Sequence, residues 1–127
     1  MNRYICSMFM TVVMLLTAVT VFADSTQVML SACKSITSAK ITDEMVMLPE
    51  DLQSGRCWGA FGIIQEVIGH VDSKSRRHFY GVCAPPESRR SQLIAIFVNY
   101  AEKNPQRLHE DFFWVAIDSL KASFKCK

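Results

Sequence analysis

Four cysteines, Cys33, Cys57, Cys83 and Cys126, remain once the uncharged N-terminal stretch of this chain is set apart, and they constrain its fold more than any other feature. In an oxidising compartment an even set of thiols in a short domain reads as a pair of disulfides. The first residues supply that compartment. Met1 to Tyr4 carries one Arg beside the amino terminus, residues 5–22 hold no charge, and Val21 and Ala23 place small side chains where a signal peptidase reads, so cleavage is expected after Ala23. An uncleaved anchor is the competing reading, because the uncharged run approaches spanning length, although Thr11, Thr17 and Thr20 dilute it. Cys6 leaves with the signal.

Removal of residues 1–23 takes away Arg3 and leaves 104 residues with thirteen basic against twelve acidic side chains, the size of one domain. A net charge this close to zero argues against nucleic acid as a partner. A domain of this length buries only about two-thirds of its unfolded surface, so covalent staples reinforce a marginal core. No CxxC pair and no Cys/His cluster at ligand spacing is present, which leaves no expected metal or cofactor.

The apolar spacing predicts an all-α domain of four to five helices. A short helix over Ser25 to Ser35 has Ser25 or Thr26 as N-cap, with Met29, Leu30 and Cys33 at helical spacing. Residues 36–48 read as connector, with a helical turn at Thr42 to Val46. Pro49-Glu50-Asp51 resembles a first turn and opens a second helix to Val71. Cys57, Ala60, Phe61, Ile64, Val67, Ile68 and Val71 share its core stripe. Gly55, Gly59, Gly62 and Gly69 lie opposite, with Glu66 among them. Each costs about 1 kcal/mol in a helix relative to alanine, so the line marks either a frayed helix or one closely approached by the first helix or a second subunit.

Residues 72–86 form the longest polar interruption. A third helix, capped by Ser88, runs to Lys103 with Leu93, Ile94, Phe97, Val98, Tyr100 and Ala101 inward, and Asn104-Pro105 ends it. A last helix over His109 to Phe124 buries Phe113, Ile117, Leu120 and Phe124. The short connection makes these two helices antiparallel neighbours, which brings Cys83 to Cys126. The same logic pairs Cys33 with Cys57.

The run Cys57-Trp58-Gly59-Ala60-Phe61-Gly62-Ile63-Ile64-Gln65, followed by Cys83-Ala84-Pro85, Gln92-Leu93, Tyr100, Asn104-Pro105, Leu108-His109-Glu110 and Phe124-Lys125-Cys126, resembles the Rap/Tai family of type VI secretion immunity proteins. The likeness spans Leu30 to Cys126. It implies a small periplasmic all-helical protein, often a homodimer, that binds and blocks a secreted peptidoglycan amidase of the cysteine-peptidase type and so protects the producing cell and its siblings. Such an inhibitor needs no chemistry of its own. Where members of that family carry small residues early in the last helix, this chain has Phe112, Phe113 and Trp114.

Two segments are candidates for the contact. Asp111, Trp114, Asp118, Lys121 and Lys125 share the outer face of the last helix, so Trp114 is either an interface anchor or a ring packed under the 72–86 loop. The loop itself carries Arg76, Arg77, His78 and Tyr80; residues 74–90 hold five positive charges and one negative, against four negatives and no positives in 42–51. Opposed charge steers partners, though such runs are also ordinary solvated surface. His70, His78, His109 and Asp118 lack any surrounding nucleophile or metalloenzyme motif, so no enzyme is expected, and His109 reads as a support for the turn after Pro105. A structural or stress-related periplasmic helical protein without a toxin partner is the alternative.

Overall fold

A computed structural model describes residues 24–38 and 49–127. The expected signal segment, residues 39–48 of the expected connector and its helical turn at Thr42 to Val46 lie outside the described residues. Four helices carry the fold: α1 (Thr26–Thr37), α2 (Leu52–Gly69), α3 (Arg90–Lys103) and α4 (Phe112–Ser123). Tight turns at Phe79–Gly81 and Pro105–Arg107 interrupt the connections. Among the described residues no strand forms, and isolated antiparallel bridges join Ser25 to Asp111, Val71 to His78 and Val82 to Lys125.

Three of the four helices, α1, α2 and α4, start where a side chain satisfies a free N–H group. The Ser25 hydroxyl accepts from the Val28 N–H, as expected, and the helix runs on to Thr37 because Ile36 is buried in the core. At α2 the expectation is corrected. Pro49 and Glu50 precede the helix, and Asp51 is its N-cap, accepting from the Ser54 N–H at 2.8 Å and the Ser54 hydroxyl at 2.7 Å. These hydrogen bonds hold the Asp51 carboxyl below its usual value, the backbone one most strongly. α2 ends at Gly69, which leaves Val71 exposed beyond it rather than on the core stripe.

Ser88 does not cap α3. Its N–H bonds to the Pro85 carbonyl and its own carbonyl accepts from the Gln65 amide at 3.0 Å, so the chain stays in a turn until Arg89. At α4 the N-cap is Asp111, accepting from the Phe113 N–H at 2.8 Å, and residues 109–110 belong to the preceding turn. His109 is exposed and its ring makes no hydrogen bond among the described residues. Arg107 holds that turn instead, through Glu110, the Tyr100 hydroxyl and Asp118.

The core is one cluster shared by all four helices. Its centre is a triangle of rings from three elements: Phe61 on α2, Phe97 on α3 and Phe112 on α4, with centroids 5.2 to 5.7 Å apart. Such contacts add about 0.5–1.5 kcal/mol each beyond area burial. The triangle corrects the expected face of the last helix, since Phe112 fills the centre while Phe113 and Phe124 are only half-buried. α1 is tied to the α3–α4 connection at its start, where the Thr26 N–H and hydroxyl both donate to the Glu110 carbonyl and the Gln27 N–H donates to that of Leu108.

Both expected disulfides are present. Cys33–Cys57 joins α1 to α2 across a Cα separation of 5.3 Å, and Cys83–Cys126 joins the end of the 72–86 loop to the segment after α4 across 5.0 Å. The loop-closure model gives each about 3 to 4 kcal/mol. α1 meets α2 on the core face, where the Ser35 and Ser54 hydroxyls lie 2.8 Å apart, so it does not cover the glycines. Gly55, Gly59 and Gly69 have open space where a Cβ would stand. At Gly62 alone a neighbour comes close: a Cβ would stand 3.1 Å from the Arg90 guanidinium carbon, and that guanidinium lies 4.8 Å above the Trp58 ring.

Candidate functional site

The loop after α2 is short of apolar residues and is organised by its own polar atoms. Asp72 accepts from the Lys74 and Ser75 N–H groups at 2.9 and 2.6 Å, an Asx-type turn, and its N–H returns to the Arg77 carbonyl at 2.9 Å. The Ser75 N–H bond is the main reason its carboxyl sits below the usual range. The Phe79 N–H then bonds to the His70 carbonyl, which closes the loop onto the end of α2. On its far side the Cys83 N–H donates to the Phe124 carbonyl at 3.0 Å beside the disulfide. Both ends are thereby anchored on helices.

Two non-glycine residues of this loop adopt the left-handed backbone, Arg76 at φ 56° and Tyr80 at φ 55°. Each costs on the order of 1–2 kcal/mol, and such residues persist only where their surroundings over-determine them. For Tyr80 the surroundings are aromatic. Its ring stands edge-on to Phe113 at 5.5 Å and to Trp114 at 5.7 Å, and Phe113 and Trp114 pack on each other at 5.2 Å. Trp114 is 54% exposed, Phe79 45% and Tyr80 41%, so the cluster is a surface patch supported from beneath. A shallow, mainly apolar hollow lined by Glu66, Val67, His70, Phe79 and Tyr80 continues it onto α2. Trp114 thus combines both readings of its position: it leans on the loop and remains half open to solvent.

The expected site residues come together here. Arg76, Arg77, His78 and Tyr80 line one depression at the loop, and Tyr80 carries the contact with Trp114. His78 Nδ1 is buried with no hydrogen-bond partner among the described residues. Lys121 and Lys127 complete the depression. Lys127 reaches the depression because the disulfide at Cys126, the Val82–Lys125 bridge and the Cys83 N–H bond to the Phe124 carbonyl fold the end of the chain back onto the loop. Phe113, expected on the buried face by spacing, packs half-buried against the core and also supports the patch. Asp118 is drawn away by Arg107, whose guanidinium it shares with Glu110, and both acids raise the Arg107 pKa. Arg89 and Arg90 stand apart, Arg90 being engaged with Trp58 and Gln65.

All four cysteines of the described residues are oxidised, which leaves no thiol nucleophile or thiolate ligand among them. No group of three His, Cys, Asp or Glu side chains able to hold a metal exists among the described residues. No helix among them is long and apolar enough to cross a membrane. The model of the Rap1a immunity proteins matches residues 25–126. The chain belongs to the Rap1a immunity protein family. The match runs from the N-cap of α1 to the last cysteine, so it takes in all four described helices, both disulfides and the whole aromatic patch. Membership in the Rap1a family brings with it an immunity function directed at a secreted effector. Searches of the curated proteins and of the solved structures return no match.

Proposed function

We propose that this chain is a periplasmic immunity protein that binds a peptidoglycan amidase delivered by type VI secretion and obstructs its catalytic cleft. Family membership over residues 25–126 carries this reading. The patch of Tyr80, Phe113 and Trp114 supports it, because exposed aromatics on a rigid base are the usual anchors of a tight interface. The two disulfides hold that base in place before binding, which lowers the entropy lost on association.

Export follows from residues 1–23, read as a signal peptide removed after Ala23, and the periplasm is where Cys33, Cys57, Cys83 and Cys126 become oxidised. The protein acts by occupying its target and catalyses nothing. The exposed glycine face of α2, with Ile63 at 68% and Leu52 at 85% exposure, is available to a second copy, and a homodimer is part of the proposal.

The test is protection. Cells made to export a peptidoglycan amidase effector of the producing organism lyse, and co-export of this protein with its cognate effector restores their growth. If a correctly exported and oxidised protein leaves lysis unchanged, the reading fails.

A further inference from the structure

The depression beside the aromatic patch has a one-sided charge. It measures about 770 Å³, in the range of ligand-sized pockets, and four cations, Arg76, Arg77, Lys121 and Lys127, stand around it with no acidic side chain in its lining. The ion pairs among the described residues use Lys34, Arg56 and Arg107 as their cations, so none of these four is paired with an acidic side chain among the described residues. The Cys83–Cys126 bridge lines it and joins its two walls, the loop on one side and the segment after α4 on the other. Gly81, at φ 69°, takes the left-handed backbone that favours glycine where the loop passes Lys121.

Tyr80 belongs to both features, lining the depression and packing on Trp114. A partner that covers the aromatic patch therefore also covers the cations. Guanidinium and ammonium groups that lose water without gaining an opposite charge oppose binding, whereas carboxylates placed among them form charge-assisted hydrogen bonds. We infer that the effector presents a segment rich in Asp or Glu side chains to this depression, beside an apolar surface that receives Tyr80 and Trp114. The inference rests on the proposed immunity function and specifies the chemistry of the partner's contacting face.

The experiment measures association of a purified peptidoglycan amidase effector of the producing organism, the one whose toxicity this protein relieves, with the oxidised mature protein at two salt concentrations. Arg77→Glu on the loop wall and Lys121→Glu on the opposite wall each weaken binding about tenfold or more at low salt, with a smaller loss at high salt. Lys74→Glu makes the same charge change in the same loop outside the depression, and it stays within about threefold of wild type. Circular dichroism confirms that each variant folds, and the two walls give independent readings. Wild-type binding with unchanged affinity in both depression variants overturns the inference and leaves the immunity reading intact. Failure of the wild type to bind removes that reading and the inference with it. Binding of the wild type to vesicles of anionic phospholipid, lost in Arg77→Glu while effector binding persists, also overturns it, in favour of a lipid ligand.

Discussion

The rings of Tyr80 and Trp114 stand edge to face, with centroids 5.7 Å apart and planes at 77°, and so connect a strained loop to the outer face of the last helix. Tyr80 is held in left-handed backbone geometry at that contact. The position of the loop and the shape of the exposed aromatic patch are therefore one property. A double-mutant cycle of Tyr80→Ala and Trp114→Ala is expected to give a coupling of about 0.5–1.5 kcal/mol in denaturant unfolding. Additive effects would show that the two rings are independent.

The second disulfide holds the same region from the other side. Replacing Cys83 and Cys126 by serine is expected to lower stability by about 3 to 4 kcal/mol in urea unfolding, and to loosen the loop as seen by faster amide exchange at Val82 and Cys83. The Cys33–Cys57 pair encloses a shorter stretch, 24 residues against 43, and its loss is expected to cost somewhat less.

Substitution along the glycine line separates packing from propensity. Gly59→Ala meets no atom within 4 Å, so it should raise stability by roughly 1 kcal/mol. Gly62→Ala places a methyl group 3.1 Å from the Arg90 guanidinium carbon, which must shift off Trp58, so its gain should be smaller or absent. Thermal unfolding of the two variants side by side measures the difference. A stability loss at Gly59→Ala that grows with protein concentration would show that a second copy lies on this face.

Acid should loosen two turns before the core. Asp72 is held below the usual carboxylate range chiefly by the Ser75 N–H, and Glu110 chiefly by Arg107. A depressed folded-state pKa contributes stability that is present above the ordinary carboxylate value and lost as pH falls through the lowered one. Amide exchange at Ser75 and Arg76 is thus expected to quicken on the acid side of that range in wild type. In Asp72→Asn, whose side chain carries no titrating carboxyl, the acid-dependent step should disappear.

How much of this was legible depended on how local each cause was. The disulfide pairing followed from helix order and one short connection, both of which Asn104-Pro105 and the apolar spacing disclose. The N-cap at Asp51 was displaced by one turn because Pro49 is an equally good local signal, and only the Ser54 hydrogen bonds decide between them. Adjacent residues on a helix lie about 100° apart, so Phe112 and Phe113 exchanged roles when the Phe61–Phe97 pair claimed the first of them. The left-handed turn at Tyr80 has no sequence marker, since it is stabilised by rings far along the chain. Arg107 could have been found from Glu110 three residues on, but its bonds to Tyr100 and Asp118 depend on the packing of α3 against α4.

The most direct test of an immunity function is enzymatic. Purified peptidoglycan is incubated with a peptidoglycan amidase effector of the producing organism and increasing oxidised mature protein, and release of free amino groups is followed. Loss of activity that is complete near stoichiometric ratio, and that is weakened by Trp114→Ala, is the expected result. Undiminished cleavage at saturating protein would contradict the account.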